Sequence, residues 1–98
     1  MIKVNQNNNL MLSTRLKRIV TKKVKENIFY IKHLDEKAIK ISDSLIKDIG
    51  LDSVEMFMLI TDIEVGFGIK VSNLELLQLR TVNDVVELIV NELMNKRI

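Results

Sequence analysis

The sequence predicts an all-α fold, a small bundle of three main helices plus one short helix. Three stretches carry apolar side chains at the three- or four-residue spacing that places them on one face of a helix. Two of these stretches are preceded by a capping signal, in which an acidic residue follows the cap by three positions. At 98 residues the chain suits one domain that buries somewhat over half of its unfolded surface.

The chain divides into a flexible polar leader over residues 1–12, a helical domain over residues 13–95 and a short tail over residues 96–98. The leader contains the run Asn-Gln-Asn-Asn-Asn at residues 5–9, which has neither a helical nor a strand pattern. Such a polar segment buries too little apolar surface to offset the loss of conformational entropy on folding. We therefore expect the leader to be disordered or frayed.

The first main helix is expected from about residue 13 to about residue 31. Ser13 or Thr14 is a suitable cap for its start. Basic residues occupy its outer faces. The inward side chains are expected to be Leu16, Ile19, Val20, Val24 and Ile28, with Phe29 or Ile31 completing the face.

A connection over residues 32–51 joins the first two main helices. It exceeds the usual loop length, so we expect it to contain short helical turns, over residues 35–39 or 44–49. Apolar side chains should anchor it on the bundle. These anchors are Leu34, Ile39, Ile41, Leu45, Ile46, Ile49 and Leu51.

The second main helix begins within the stretch Ile-Gly-Leu-Asp-Ser-Val-Glu at residues 49–55. Gly50 ends a local turn, and both Asp52 and Ser53 are good helix caps. Glu55 follows Asp52 by three residues, as in a capping box. The inner face is expected to hold Phe57, Leu59, Ile60, Ile63 and Phe67, and the water-facing side Glu55, Asp62 and Glu64.

Ser53 is expected to present an exposed hydroxyl at the start of this helix. Backbone N–H groups in the first turn have no partner within the helix, and the helix dipole places partial positive charge at the same end. Both features favour an anion. The position therefore suits a serine that carries a phosphate-linked group.

Two glycines, Gly66 and Gly68, indicate where the second helix stops, and residues 69–72 should form a short extended link. Asn73 is a suitable cap for a brief third helix. That helix is nearly all apolar, so we expect it to be buried. Its apolar residues are Leu74, Leu76, Leu77 and Leu79.

The last helix opens at Thr81, and Asp84 repeats the capping-box spacing three residues later. It should pack on the rest of the bundle through one apolar face. The inward residues are expected to be Val82, Val85, Val86, Ile89 and Leu93.

Charge is distributed unevenly along the chain. Residues 1–33 hold eight Lys or Arg and one Glu, a balance of +7, whereas residues 34–98 hold seven basic and twelve acidic residues, a balance of −5. A basic leading helix is able to bind nucleic acid or an anionic membrane. No aromatic residues are interleaved with its lysines as a stacking surface requires, so we interpret it as a solvated helix face and expect no nucleic-acid partner.

Composition also excludes several classes of site. The chain has no cysteine, which excludes disulfides and thiolate metal sites, and the single histidine, His33, argues against a zinc site. We interpret His33 as a surface or locally hydrogen-bonded residue, because no third residue is identifiable to orient it as a base for Ser53. With no nucleophile–base pair and no phosphate loop, we expect a protein without catalytic residues.

No apolar run reaches the roughly 18 residues that span a membrane, and the N-terminus lacks the apolar core of a secretory signal. We therefore expect a cytoplasmic protein without stable membrane insertion. Residues 1–25 contain no acidic residue, a composition that also fits an organelle transit peptide. Their basic residues, however, fall on the predicted first helix.

The motif Gly50-Leu51-Asp52-Ser53-Val54 resembles the Gly-x-Asp-Ser-Leu motif of the acyl and peptidyl carrier proteins, with Val in place of the commoner Leu. The resemblance covers roughly residues 13–93. Ser44 to Ile49 are similar to the family's loop before the serine. Phe67-Gly68-Ile69 and Thr81-Val82 are similar to the end of its second helix and the start of its last.

The resemblance implies that Ser53 bears 4'-phosphopantetheine, transferred from coenzyme A by a phosphopantetheinyl transferase. Asp52 would support this by fixing the helix start and by lying next to the magnesium that the transferase brings. The arm would hold acyl or aminoacyl groups as thioesters for a fatty-acid, polyketide or nonribosomal-peptide type of pathway. The implied partners are a loading synthetase or acyltransferase and downstream enzymes, and the carrier is expected to be a monomer.

The second helix carries fewer acidic residues than the second helix of the carriers that the sequence resembles. Carriers of primary fatty-acid synthesis have a second helix dense in acidic residues, whereas positions that are commonly acidic are here Met58, Val65 and Gly66. Our hypothesis is a specialised carrier with a more apolar docking face for one dedicated enzyme. The candidate partner-binding residues are Glu55, Met56, Met58, Asp62 and Val65.

Two other functional classes compete with the modified carrier. One is a carrier-like subunit that has kept the fold for assembly only and is not modified. The other is a basic helical adaptor for nucleic acid. Attachment of one phosphopantetheinyl unit separates the carrier from both alternatives, and salt-dependent retention on DNA would indicate the adaptor.

Overall fold

The computed structural model describes residues 4–95, with side chains from residue 10 onward. Within this range the chain is helical, with three main helices and one short one, as predicted. No strand occurs between residues 4 and 95; one isolated bridge joins Ser44 to Thr81. The elements are α1 (Val4–Lys32), a 3-10 turn (Glu36–Ala38), α2 (Ser53–Phe67), α3 (Asn73–Gln78) and α4 (Val82–Asn95).

The core lies between α1, α2 and α4, and α1 packs most extensively on α4. Val20, Val24 and Ile28 of α1 follow one another at four-residue intervals and are fully buried. Every buried residue in the described range is apolar. Burial of each such side chain contributes about 1.5–3 kcal/mol, so this stripe positions α1. From α4 the buried residues are Val82, Val85, Val86, Ile89 and Val90, and Leu93 packs at the edge of the core.

Helix α1 begins at Val4, well before the predicted start near residue 13. Residues 4–12 are therefore helical where a disordered leader was expected, while residues 1–3 and the predicted tail at 96–98 lie outside the described range. Extending an existing helix adds one hydrogen bond for each residue ordered, so a polar sequence is able to continue a packed helix. Ser13 and Thr14 do not cap it, since each hydroxyl donates to the carbonyl of Leu10 within the helix.

The inward face of α1 is narrower than predicted. Ile19 is 62% exposed and Phe29 is 42% exposed, whereas Ile31 packs against the core. Four-residue steps from Val20 to Ile28 define the buried line, and Ile19 lies about 100° away from Val20 around the helix. The apolar character of these residues alone did not show which of them face the bundle.

The long connection is held by hydrogen bonds to the start of α4. The N–H of Leu45 donates to the carbonyl of Arg80 at 2.9 Å, and the N–H of Asn83 donates to the carbonyl of Ile41 at 2.8 Å. A 3-10 turn forms at Glu36–Ala38, capped by Asp35 as the first predicted turn requires. The predicted anchors Ile39, Leu45, Ile49 and Leu51 are buried and Leu34 is partly buried, but Ile41 and Ile46 are exposed.

Three predictions about α2 and α3 were wrong. Phe57 is exposed, because the buried face of α2 consists of Leu59, Ile60 and Ile63. The cap of α3 is Ser72, which forms a capping box with Glu75, and Asn73 is the first helical residue. Helix α3 is not buried, since one short helix offers only one face to the core. Leu74 and Leu77 are exposed, whereas Leu76 and Leu79 are partly buried.

The predicted ends of α2 and the start of α4 are confirmed. Helix α2 ends at Phe67, and Gly68 adopts the left-handed conformation (φ 66°) that favours glycine at this position. The hydroxyl of Thr81 accepts from the N–H of Asp84 at 3.1 Å, and the Asp84 carboxylate accepts from the N–H of Thr81 at 3.0 Å. In the described part of the chain, no helix has both the length and the apolar composition that membrane crossing requires.

Candidate functional site

Ser53 is the first residue of α2, and the turn before it is tightly fixed. Gly50 has φ 85°, a conformation in which side-chain-bearing residues are strained, and Leu51 is buried. Asp52 is the cap of α2: its carboxylate accepts from the N–H of Glu55 at 2.8 Å. The Glu55 carboxylate accepts in turn from the N–H of Asp52 at 3.0 Å, which completes the predicted capping box.

The Ser53 side chain is exposed, and within residues 4–95 its hydroxyl has no hydrogen-bond partner. The N–H groups of Ser53 and Val54 likewise have no acceptor in this range, as expected for the first turn of a helix. A phosphate on the Ser53 oxygen would meet these two donors and the positive end of the α2 dipole. The residues present therefore fit a phosphate-linked group at Ser53.

A side-chain contact ties the start of α2 to the end of α1. Lys32 Nζ lies 3.2 Å from Glu55 Oε1 and 3.3 Å from Oε2, and both side chains are largely shielded from water. Glu55 was predicted to face water, but its carboxylate serves both the capping box and Lys32. Because the same oxygen, Oε1, accepts from the N–H of Asp52, this contact holds the turn that carries Ser53.

A groove of about 800 Å³ begins at Ser53 and runs between α2 and α3. Its lining is mostly apolar, with basic side chains where the connection and the segment before α4 reach it. The groove can accommodate an elongated group with an apolar end and an anionic end. Its apolar lining includes Met56, Phe57, Ile60 and Leu77, and its basic side chains are Lys47 and Arg80.

Three exposed apolar residues lie on the outer face of α2, which also carries the exposed Asp62. Val54, Met58 and Val65 recur at the spacing of one helix face, and all three are exposed, Val65 to 80%. Met58 and Val65 were predicted as contact residues but Val54 was not, although its four-residue spacing from Met58 was a signal. Phe57, which was predicted to lie in the core, is 70% exposed.

The other candidate partner-binding residues lie in different environments. Asp62 is exposed on α2, whereas Met56 is partly buried and packs against the core. Glu55 is held by its intramolecular contacts. The structure thus brings Met58, Asp62 and Val65 to the surface of one helix and places Met56 and Glu55 further inside, and their roles in binding stay predictions.

His33 follows the last residue of α1 in a left-handed conformation (φ 61°). Its N–H donates to the carbonyl of Phe29, and its ring lies edge-on to the Phe29 ring with centroids 6.3 Å apart. These are local contacts at a helix end. They agree with the interpretation of His33 as a surface or locally hydrogen-bonded residue.

Comparison with known proteins bears on the same region. The family model described as the phosphopantetheine attachment site matches residues 31–89, which include Ser53 and most of the groove beside it. The acyl carrier protein of Thermotoga maritima is 37% identical over 71 residues, which cover 72% of this chain and 88% of that protein. The acyl carrier protein of Coprothermobacter proteolyticus is 35% identical over 63 residues, covering 64% of this chain and 77% of that protein.

A third relative, the acyl carrier protein homolog of Mycoplasmopsis pulmonis, is 40% identical over 47 residues, 48% of this chain and 64% of that protein. The matches agree with one another and with the helical bundle, and the family model spans more than half of the chain. On these grounds the chain belongs to the acyl carrier protein family, in which a 4'-phosphopantetheine group is covalently attached.

Proposed function

We propose that Ser53 is the attachment residue for 4'-phosphopantetheine and that the protein is a non-catalytic carrier of acyl or aminoacyl groups. The observation that supports this best is the exposed, unpartnered Ser53 hydroxyl at the first position of α2. When bound, the group supplies a terminal thiol on which such cargo is held as a thioester.

In this proposal the residues around Ser53 hold the attachment point in an accessible position for partner enzymes. The capping box between Asp52 and Glu55 fixes the direction in which α2 begins, and the free N–H groups of Ser53 and Val54 stabilise negative charge at the attachment point. Met56, Phe57 and Ile60 offer an apolar wall beside Ser53 for a cargo that folds back onto the protein. Asp52 is proposed to assist the transferase through its carboxylate, beside the magnesium ion that the transferase brings.

The partners in this proposal are a phosphopantetheinyl transferase, a loading synthetase or acyltransferase and the enzymes that take up the cargo. The exposed Val54, Met58 and Val65 support a dedicated partner with an apolar contact surface, because covering these side chains on binding removes apolar area from water. We infer a specialised fatty-acid, polyketide or nonribosomal-peptide type of pathway.

The oligomeric state, the cellular location and the carried group are each open to a direct measurement. A monomeric state predicts a single species near 11.3 kDa in sedimentation velocity. A cytoplasmic location predicts recovery in the cytosolic fraction of the cell. Trapping the native thioester would identify the carried group and, with it, the type of pathway.

Intact-protein mass spectrometry tests the attachment. After incubation with coenzyme A, magnesium and a broad-specificity transferase, the protein should gain one phosphopantetheinyl unit and Ser53→Ala should gain none. Ser44→Ala is a matched control, because Ser44 lines the same groove. Modification of Ser53→Ala would contradict the assignment, and an unmodified wild-type protein would favour the assembly subunit.

A further inference from the structure

A second groove, of about 790 Å³, lies on the side of the molecule formed by α1, the 3-10 turn and α4. We call it the basic groove, because five of its lining side chains are cationic and only Glu36 and Glu87 are acidic. It shares no lining residue with the groove at Ser53. Its cationic side chains are Lys17, Arg18, Lys22, Lys25 and Lys37, and its aliphatic side chain is Ile41.

Three of the cations have no carboxylate partner. Lys17 pairs with Glu87 at 2.9 Å, and Lys22 lies 3.8 Å from Glu26. By contrast, Arg18, Lys25 and Lys37 make no ion pair within residues 4–95. Like charges that line one concavity repel one another, and the field inside a cleft is stronger than above a flat surface. An anionic occupant would remove this repulsion.

We propose that the basic groove binds an acidic segment of a partner protein. The groove combines unpaired cations with apolar surface, since Ile41, which was expected to be an anchor in the core, is instead exposed within it. An amphipathic helix with carboxylates beside an apolar ridge matches both features. Glu36, which makes no ion pair within residues 4–95, also provides a site for a basic residue of the same segment.

Other anionic surfaces fit less well. A nucleic-acid backbone would carry its continuous negative charge past Glu36 and Glu87, and the lining contains no aromatic side chain on which a base would stack. A membrane-binding helix face would need several exposed apolar residues in place of Ile41 alone.

Binding of an acidic segment to the basic groove does not depend on Ser53. Because the two grooves have separate linings, an acidic segment can occupy the basic groove while Ser53 stays accessible to enzymes. A partner bound there would remain on the carrier while different enzymes act in turn at α2. The relevant binding is therefore measurable on the unmodified protein and on Ser53→Ala.

Fluorescence anisotropy with a labelled amphipathic peptide tests the proposal. The probe peptide carries glutamates along one helical face and leucines beside them, and its control has glutamine in place of every glutamate. The full-length protein should bind the acidic probe with an affinity that falls as salt rises, and should bind the glutamine control far more weakly. The triple variant Arg18→Glu, Lys25→Glu, Lys37→Glu should bind about tenfold more weakly or worse.

A second triple variant, Arg15→Glu, Lys40→Glu, Lys70→Glu, is the matched control. It changes the net charge equally at three exposed basic residues outside the groove lining, none of them ion-paired in the described range. Retained binding by this variant, with both variants folded by circular dichroism, supports the groove as the site. Equal weakening of both variants, or no binding at low salt, would overturn the proposal.

Two further outcomes would identify a different occupant of the basic groove. Tighter binding to duplex DNA or to phosphatidylglycerol vesicles than to the acidic peptide, abolished by the groove variant, would identify a phosphate surface in place of a protein. Salt-sensitive dimers of the protein alone, lost in the groove variant, would identify a second copy of the chain. Each result overturns the acidic partner segment.

Discussion

The hydroxyl groups of this protein have different uses, and that of Ser53 lies exposed at the first position of a main helix. Ser44, Ser72 and Thr81 each accept a backbone N–H within a turn or cap. At the start of α2 that task belongs to the carboxylate of Asp52. Asp52 thus caps α2, and the hydroxyl of Ser53 next to it has no hydrogen-bond partner within residues 4–95.

The first prediction separates the two contributions of Asp52. Asp52→Ala removes the acceptor for the N–H of Glu55 and should lower the free energy of unfolding by about 1 kcal/mol, measured by urea denaturation. Asp52→Asn is the matched control, because asparagine caps helices as well as aspartate does. It should keep the stability of the wild type and yet be modified more slowly, if the charge assists the transferase as proposed.

An Asp52→Asn protein as unstable as Asp52→Ala would contradict this account of the cap. It would mean that the charge of Asp52, and not its hydrogen bond, stabilises α2. Equal transfer rates for Asp52→Asn and the wild type would remove the proposed supporting role of the carboxylate.

Among the elements, the sequence predicted the starts of α2 and α4 correctly, whereas it misplaced the start of α1 and several helix faces. The capping boxes at Asp52 and Thr81 are local patterns of hydrogen-bonding groups, so they were readable without knowledge of the fold. Which apolar residues are buried depends on the neighbouring elements. Phe57 and Ile19 were assigned to the core because they are apolar, but both lie at the edge of the stripe that the bundle covers.

The second prediction tests the observed face of α2. Leu59→Ala removes a fully buried side chain and should lower the free energy of unfolding by about 2–5 kcal/mol. Phe57→Ala, two residues away, removes a larger but mostly exposed side chain and should cost less than about 1 kcal/mol. Urea denaturation of both variants distinguishes the faces. A greater loss for Phe57→Ala would mean that α2 is rotated relative to the structure.

The third prediction concerns the exposed apolar face beside Ser53. Met58→Glu places a charge where we propose that a dedicated enzyme makes an apolar contact, and binding to the loading enzyme should weaken at least about tenfold, as measured by calorimetry. Met11→Glu is the matched control, because Met11 is an exposed methionine on α1. Unchanged or tighter binding of Met58→Glu would argue against a specialised apolar docking face.

The whole molecule consists of one packed bundle with a first helix that starts well before the first buried residue. The core of α1 starts at Val20, and Leu10 and Met11 are exposed, so the region before residue 13 is helical without adding to the buried core at those positions. The sequence suggested a boundary near residue 13 from the polar composition. It did not show that the helix continues past that boundary, because helix extension depends on the packed part of α1.

The fourth prediction tests this boundary. A protein lacking residues 1–12 should fold, with a free energy of unfolding within about 1 kcal/mol of the full chain, because exposed helix ends contribute little. Circular dichroism should show a loss of helix that corresponds to the missing residues alone. A much larger loss of stability would mean that the domain begins before residue 13.

We propose that the cofactor is attached to the exposed hydroxyl of Ser53. Peptide mapping by tandem mass spectrometry, after treatment with coenzyme A and a phosphopantetheinyl transferase, locates the attachment residue. We expect one phosphopantetheinyl group, on Ser53 in the peptide that spans the start of α2. An unmodified protein, or a group on any other residue, would rule out Ser53 as the attachment residue.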